Sequence, residues 1–289
     1  MLKLYGTGVA TRLSHALGQV ADIRVPSALL KPVIKAYSLA VGVETDEMVE
    51  PEGGFESFGD FFVRRLRPDV RPICGDRDAL LCPSDGDVVD RGAVDGGNAD
   101  SITVKGNEYS LNHLLGGAAP GVDFAGGGYL VIYLHPRDYH RVHAPVDGEL
   151  TGVCHVPGKR FPVAPWSESR VRGIYGKNER MVYVLEPAGG GTLVVVMVAA
   201  FGVGNIDTPY APVSRSGNGE SATRCFEPRI EIDRGDDLGA FRLGSTVVMI
   251  WTDGAVELDP ELPDGRVVMG SRIGRLSTSA EGSTGGESG

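Results

Sequence analysis

The sequence predicts an α+β protein that is mainly β, with amphipathic helices at the N-terminus followed by a β-rich domain. Three observations carry this expectation. Glycine accounts for 42 of 289 residues and proline for 18, too many helix breakers for a bundle or coiled coil. From about Leu80 onward, short β-type runs alternate with Gly, Pro, Asn and Asp. Helical periodicity is confined to the first 66 residues. With 42% hydrophobic and 23% charged residues, the chain has the balance of a folded soluble protein.

Residues 1–50 read as a basic amphipathic helical segment. Val9, Leu13, Ala16, Leu17 and Val20 recur at helical spacing, and Leu29, Leu30, Val33, Ile34, Tyr37 and Val41 repeat the pattern. Up to residue 43 the bases Lys3, Arg12, Arg24, Lys31 and Lys35 face the single acid Asp22, although the whole chain carries -10. Pro32 is expected in a first turn, where a missing N–H is tolerated. Such a helix can lie in a membrane interface, drawn to anionic headgroups, or dock on its own core. A third helix is expected from Ser57 to Leu66, with Ser57 as cap and Phe58, Phe61, Phe62 and Leu66 on one side. Residues 51–276 then form the β-rich domain, with strands expected at Gly128–Leu134, Met181–Leu185, Thr192–Phe201, Arg229–Ile232 and Thr246–Trp251. Residues 277–289 contain no large apolar side chain and are expected to be a flexible tail.

Several function classes are disfavoured. The longest apolar run, Leu193 to Phe201, is less than half the roughly 20 residues of a membrane-spanning helix. The N-terminus has no apolar core of a secretion signal, so the cytosol is the default compartment. Cys74, Cys82, Cys154 and Cys225 are far apart and form no C-x-x-C pair, which suggests neither a disulfide framework nor a zinc ribbon. The acidic balance argues against nucleic acid as a partner. The Gly-rich stretches at 116–128 and 189–191 lack the Lys-Ser/Thr of a P-loop, and Val203-Gly204-Asn205 is only a fragment of a dinucleotide fingerprint.

Reactive groups concentrate in three places. Pro83-Ser84-Asp85-Gly86 is a turn sequence presenting a carboxylate beside a glycine. His135, His140 and His143, three of the six histidines, fall within nine residues directly after an apolar strand. This His-x4-His-x2-His spacing lacks the i, i+4 geometry of the familiar zinc helix, and acid–base work suits imidazole better. Two histidines three apart point to opposite faces of an ideal strand, so the segment must bend if both serve one site. Third, Phe241-Arg242-Leu243-Gly244-Ser245-Thr246 sets a hydroxyl just after a residue without Cβ, which opens backbone conformations for attack on the preceding carbonyl. The flanking glycines of a G-x-S-x-G elbow are absent, which disfavours an ordinary serine hydrolase.

Together these segments resemble the pyruvoyl-dependent phosphatidylserine decarboxylases. Leu243-Gly244-Ser245-Thr246, Pro136-Arg137-Asp138-Tyr139-His140-Arg141-Val142-His143 and Pro83-Ser84-Asp85-Gly86 carry the resemblance. Phe58-Gly59-Asp60-Phe61-Phe62-Val63-Arg64-Arg65-Leu66-Arg67, Asn178-Glu179-Arg180 and Val203-Gly204-Asn205-Ile206 support it. They occur in the family's order over roughly residues 55–275.

The resemblance implies a proenzyme that cuts itself between Gly244 and Ser245 into a β chain of residues 1–244 and an α chain of residues 245–289. It assigns Asp85, His143 and Ser245 to cleavage: Asp85 supports the imidazole, His143 takes the serine proton, and the oxygen attacks the Gly244 carbonyl. Elimination and hydrolysis convert Ser245 to a covalent pyruvoyl group. That cofactor decarboxylates phosphatidylserine to phosphatidylethanolamine and carbon dioxide through a Schiff base, with His140 protonating the former Cα or positioning the substrate. No metal is implied. The partners implied are phosphatidylserine in a membrane and, as is frequent in the family, a second copy forming a homodimer. The location implied is peripheral, on the cytoplasmic face of the membrane. A related decarboxylase of a soluble amino acid, or a non-catalytic lipid-binding module, are the alternatives.

Overall fold

A computed structural model describes residues 18–95, 101–163, 171–200, 206–210, 221–242 and 245–277. The periodic stretch from Val9 to Leu17, the Leu243-Gly244 step and the tail beyond Ser277 lie outside the described residues. The central feature is an eight-stranded antiparallel sheet. Its spatial order is β11 (Ala222–Ile232), β7 (Gly148–Val156), β8 (Arg180–Pro187), β9 (Leu193–Ala199), β13 (Ser245–Trp251), β5 (Gly128–Leu134), β2 (Gly86–Ala93) and β15 (Gly265–Val267). Two three-stranded sheets accompany it: β1 (Ala79–Leu81), β16 (Arg272–Leu276) and β14 (Val256–Leu258), and β10 (Ile206–Asp207), β12 (Asp237–Phe241) and β6 (Arg141–His143). β3 (Ser101–Val104) and β4 (Asn107–Ser110) form a hairpin. Four helices have described bounds: α1 (Ser27–Val41), α2 (Phe58–Phe62), α3 (Leu111–Leu115) and α4 (Ile174–Lys177).

Each of the five expected β runs holds a strand, Leu193–Ala199 within the run expected from Thr192 to Phe201, whose last residue lies outside the described residues, whereas β2, β7 and β12 have no counterpart in the sequence reading. The difference is physical. β9 and β13 are buried at every residue, so both of their faces are covered and they read as unbroken apolar runs. Gly86-Asp87-Val88-Val89-Asp90 carries polar residues inside its strand and imitates a loop. Fully burying each Val, Ile or Met of the two central strands contributes about 1.5–3 kcal/mol. Ser245 opens β13 and lies across from Leu134 on β5 and Ala199 on β9. Ser245, on the C-terminal side of the peptide expected to be cut, therefore begins a strand in the middle of the sheet.

Helix α1 buries Leu30 and Ile34 in a small second core with Val43, Phe55 and Phe61, while Leu29, Val33 and Leu39 remain exposed on its outer side. Pro32 is the sixth residue of α1, in the second turn rather than the first, where it removes one backbone hydrogen bond. Helix α2 ends at Phe62, four residues earlier than expected. Ser57 caps it by accepting from the Asp60 amide at 3.0 Å, and Leu66 instead bridges to Met48 in an extended segment. No helix among the described residues is long and apolar enough to cross a membrane.

Candidate active site

Ser245 is completely buried, and among the described residues its hydroxyl has no hydrogen-bond partner. A buried hydroxyl without a partner forgoes stabilisation, which is the cost of leaving an oxygen free to react. The approach to it is anchored through Arg242. Its guanidinium meets Asp207 of β10 at 2.8 Å, Asp22 at 2.8 Å and Asp60 of α2 at 3.4 Å. Three carboxylates thus hold the chain three residues ahead of the serine.

His143 ends β6, and its backbone N–H donates to the Pro83 carbonyl at 2.8 Å, which brings the histidine segment beside the Asp85 turn. Its Nδ1 lies 2.7 Å from the Gly235 carbonyl. A carbonyl only accepts, so Nδ1 carries the proton and Nε2 is left to accept. The Tyr139 hydroxyl donates to Nε2 at 2.9 Å, and its ring stacks on the imidazole with centroids 5.6 Å apart. Burial lowers the His143 pKa to about 4, so the ring is a neutral base at physiological pH. Gly235 has φ +90°, a left-handed conformation that suits glycine at this turn.

His140 is also wholly buried and faces a different neighbour. Its Nδ1 donates to the Asp138 carbonyl at 2.9 Å, its ring lies 4.2 Å from that of Phe62, and its Nε2 has no partner among the described residues. Desolvation lowers its pKa to about 3, with the Arg64 charge adding to the effect. The segment bends between the two histidines, one packing on α2 and the other on Tyr139. Tyr37 of α1 reaches the same loop, donating to the Pro136 carbonyl at 3.1 Å while its ring meets Phe58 edge-on. His135, the third histidine, pairs instead with Asp87 at 2.9 Å.

Asp85 is buried and multiply held. Arg71 donates to its carboxylate from Nε at 3.0 and 3.1 Å and from Nη2 at 2.7 Å, the Met269 amide donates at 2.9 Å, and Arg266 stands 3.7 Å away. Arg71 also donates to both carboxylate oxygens of Glu47, at 3.0 and 2.9 Å. Among the described residues no hydrogen bond joins Asp85 to His143, or either imidazole to Ser245. The glycine after Asp85 is required by packing, since a Cβ on Gly86 would stand 2.5 Å from the Tyr133 carbonyl oxygen of β5. The motif thus combines a structural glycine with a buried charge.

Comparison with known proteins connects this geometry to a family. The family model for phosphatidylserine decarboxylase matches residues 58–275. The chain belongs to the phosphatidylserine decarboxylase family. Curated relatives named phosphatidylserine decarboxylase proenzyme include one from Anaeromyxobacter sp. strain K, 38% identical over 91% of this chain and 93% of its own length. Another, from Azotobacter vinelandii, is 35% identical over 92% and 94%. A third, from Myxococcus xanthus, is 32% identical over 96% and 98%. The span matched by the phosphatidylserine decarboxylase model contains Asp85, His140, His143 and Ser245 and leaves out α1.

Several residues around these side chains were not singled out by the sequence reading. Tyr139 lies inside the quoted histidine motif and could have been found as the phenol nearest His143. Arg71, Gly235 and Met269 carry no local signal, because each meets its partner only through the tertiary fold.

Proposed function

We propose that this chain is a self-processing phosphatidylserine decarboxylase that works at a membrane surface. The Ser245 hydroxyl gives up its proton to Nε2 of His143, replacing the proton that Tyr139 now donates there, and the oxygen attacks the Gly244 carbonyl. The peptide C–N bond breaks as the new C–O bond forms, leaving an ester and a free Ser245 amine. Loss of the Ser245 α-proton expels the Gly244 carboxylate, and hydrolysis of the resulting dehydroalanine releases ammonia. Asp85, fixed by Arg71 and the Met269 amide, favours protonated His143 through space rather than by a direct hydrogen bond.

A pyruvoyl group at position 245 suits this place: the hydroxyl that leaves with Gly244 is buried and has no partner among the described residues, and the backbone is held in a central strand. Once formed, such a group supplies a carbonyl that captures the substrate amine and accepts the electron pair released as carbon dioxide leaves. His140, neutral and with Nε2 uncommitted, is set to take a proton and return it to the former Cα. The two fragments remain together because β13 is paired on both sides, with β9 and β5. The exposed Leu29, Val33 and Leu39 beside Lys31 and Lys35 suit an anionic bilayer surface, on the cytoplasmic side, where the diacyl substrate resides.

The observation that carries this reading is the buried, unpartnered hydroxyl of Ser245 at the start of the central strand in a member of this family. Denaturing intact mass tests it. Wild type should give a fragment of 244 residues and one of 45 that begins with pyruvoyl, whereas Ser245→Ala should stay whole and inactive on phosphatidylserine vesicles. An uncut chain that decarboxylates at full rate defeats the mechanism.

A further inference from the structure

The end of α2 and the histidine segment are fastened to each other from both sides. Arg64, two residues past the helix, sends Nη2 to the Arg137 and Asp138 carbonyls, each at 2.9 Å. In the other direction Arg141 donates from Nη1 to the Val63 carbonyl at 3.2 Å. Between these contacts Phe62 packs on His140. The Asp138 carbonyl serves two donors, because it also accepts from Nδ1 of His140 at 2.9 Å. Arg64 is only 4% exposed, and among the described residues its Nε and Nη1 have no partner while Nη2 meets only carbonyls. The face of Phe61 lies 5.3 Å from its guanidinium carbon. Holding carbonyls needs no charge, since a neutral amide donates as well and spares the cost of burying a cation. The buried cation is explained by what it does to the imidazole that shares its carbonyl.

We propose that Arg64 is a positioning residue for decarboxylation, fixing the tautomer and the aim of His140 through the Asp138 carbonyl that both side chains grip. The role of His140 in turnover rests on the decarboxylase reading; its orientation by Arg64 does not. A carbonyl only accepts, so the shared oxygen keeps the ring proton on Nδ1 and leaves Nε2 bare. A charge-assisted contact to the same oxygen fixes the plane of that peptide, and with it the direction in which the ring points. The charge also opposes a second proton on the ring, adding to the burial that lowers its pKa to about 3. Among the described residues the charged and titratable groups acting on the ring are Arg64 from the end of α2 and His135 from its own segment, while β12 gives only the Phe241 amide, to the His140 backbone carbonyl. His140 held in this way is a neutral base with one open nitrogen, the state that proton transfer at the former Cα requires.

The test is nitrogen-15 NMR of the histidine rings in the full chain carrying Ser245→Ala, the His140 signal being identified by its loss in His140→Ala. Without Arg64→Gln the ring should show the Nδ1–H tautomer alone. With Arg64→Gln the Nε2–H form should appear beside it, and Arg64→Lys, which keeps the charge but not the planar fork, should lie between the two. Should Arg64→Gln fail to fold, Arg64→Lys decides by itself through the appearance of the second tautomer. On phosphatidylserine vesicles the processed Arg64→Gln enzyme should lose kcat about tenfold with KM little changed, part of the roughly 10²–10⁴-fold that a well-placed acid–base group contributes, and Arg64→Lys should recover some of it. A ring that carries its proton on Nε2 before any change at Arg64, an Nδ1–H tautomer indifferent to both substitutions, or a rise in KM with kcat retained overturns the assignment. The tautomer is read in uncut protein without substrate, so its failure removes the role of Arg64 and leaves the decarboxylase reading to its own test.

Discussion

Replacing Arg71 by Gln should destabilise the protein by about 3 kcal/mol, near the lower end of the range for breaking a buried ion pair from one side. The magnitude follows from what Asp85 keeps. The carboxylate is 1% exposed and loses three hydrogen bonds from a guanidinium that is itself only 10% exposed. It retains the Met269 amide at 2.9 Å and Arg266 at 3.7 Å, which moderates the loss. For a domain of this size the melting temperature should fall by about 6–12 °C. Urea denaturation in the uncut Ser245→Ala background measures stability without the complication of processing. Arg71→Lys should recover only part, because an ammonium cannot grip Asp85 and Glu47 together with a planar fork. The double variant Arg71→Gln/Asp85→Asn should cost clearly less than the sum of the single variants, since no unpaired charge is then left buried. Additive costs, or an Arg71→Gln effect below about 0.5 kcal/mol, would refute this account of how Asp85 is held.

Four other outcomes are expected. Acidification should erode stability: His140 and His143 are held neutral, with pKa values near 3 and 4 against an ordinary 6.5, so the unfolded chain takes up protons that the folded one refuses. Their contribution is full above about pH 6.5 and is lost as pH falls toward 4, at about 1.4 kcal/mol per pH unit for each proton, measurable by urea titrations at pH 7, 6 and 5. Self-cleavage should stay pH-insensitive down to about pH 5, because His143 remains a base there; a half-maximum near pH 6.5 in a cleavage time course would contradict the buried imidazole. Leu39→Glu and Val33→Glu lie on the exposed side of α1 and should lower flotation with phosphatidylserine vesicles while changing the melting temperature little; unchanged flotation removes α1 from the membrane contact. His140→Ala should spare cleavage more than turnover, and decarboxylation at the wild-type rate would show that the role assigned to it is wrong.

The parts of the site legible in the sequence are those written in consecutive residues. The histidine motif, the Asp85-Gly86 turn and the Gly244-Ser245 step each combine chemistry and local geometry within a few positions. The central strands were legible because burial on both faces demands uninterrupted apolar residues, as in Leu193–Ala199 and Ser245–Trp251. Strand β2 was not, because its charged residues pair with groups far along the chain, Asp87 with His135 and Arg91 with the Leu262 carbonyl at 2.6 Å.

Sequence alone determined the mainly β class and the family, and it named the four residues expected to carry the chemistry. Only the tertiary structure decided that α1 docks one face on α2 while exposing the other, that Asp85 is held by Arg71 and Met269 rather than by His143, and that Gly235 and Tyr139 occupy the two nitrogens of that imidazole. The physical reason is range. Periodicity and turn chemistry act over a few residues, whereas the charges and carbonyls that tune a buried side chain arrive from positions 14 to 184 residues away, once the strands have paired.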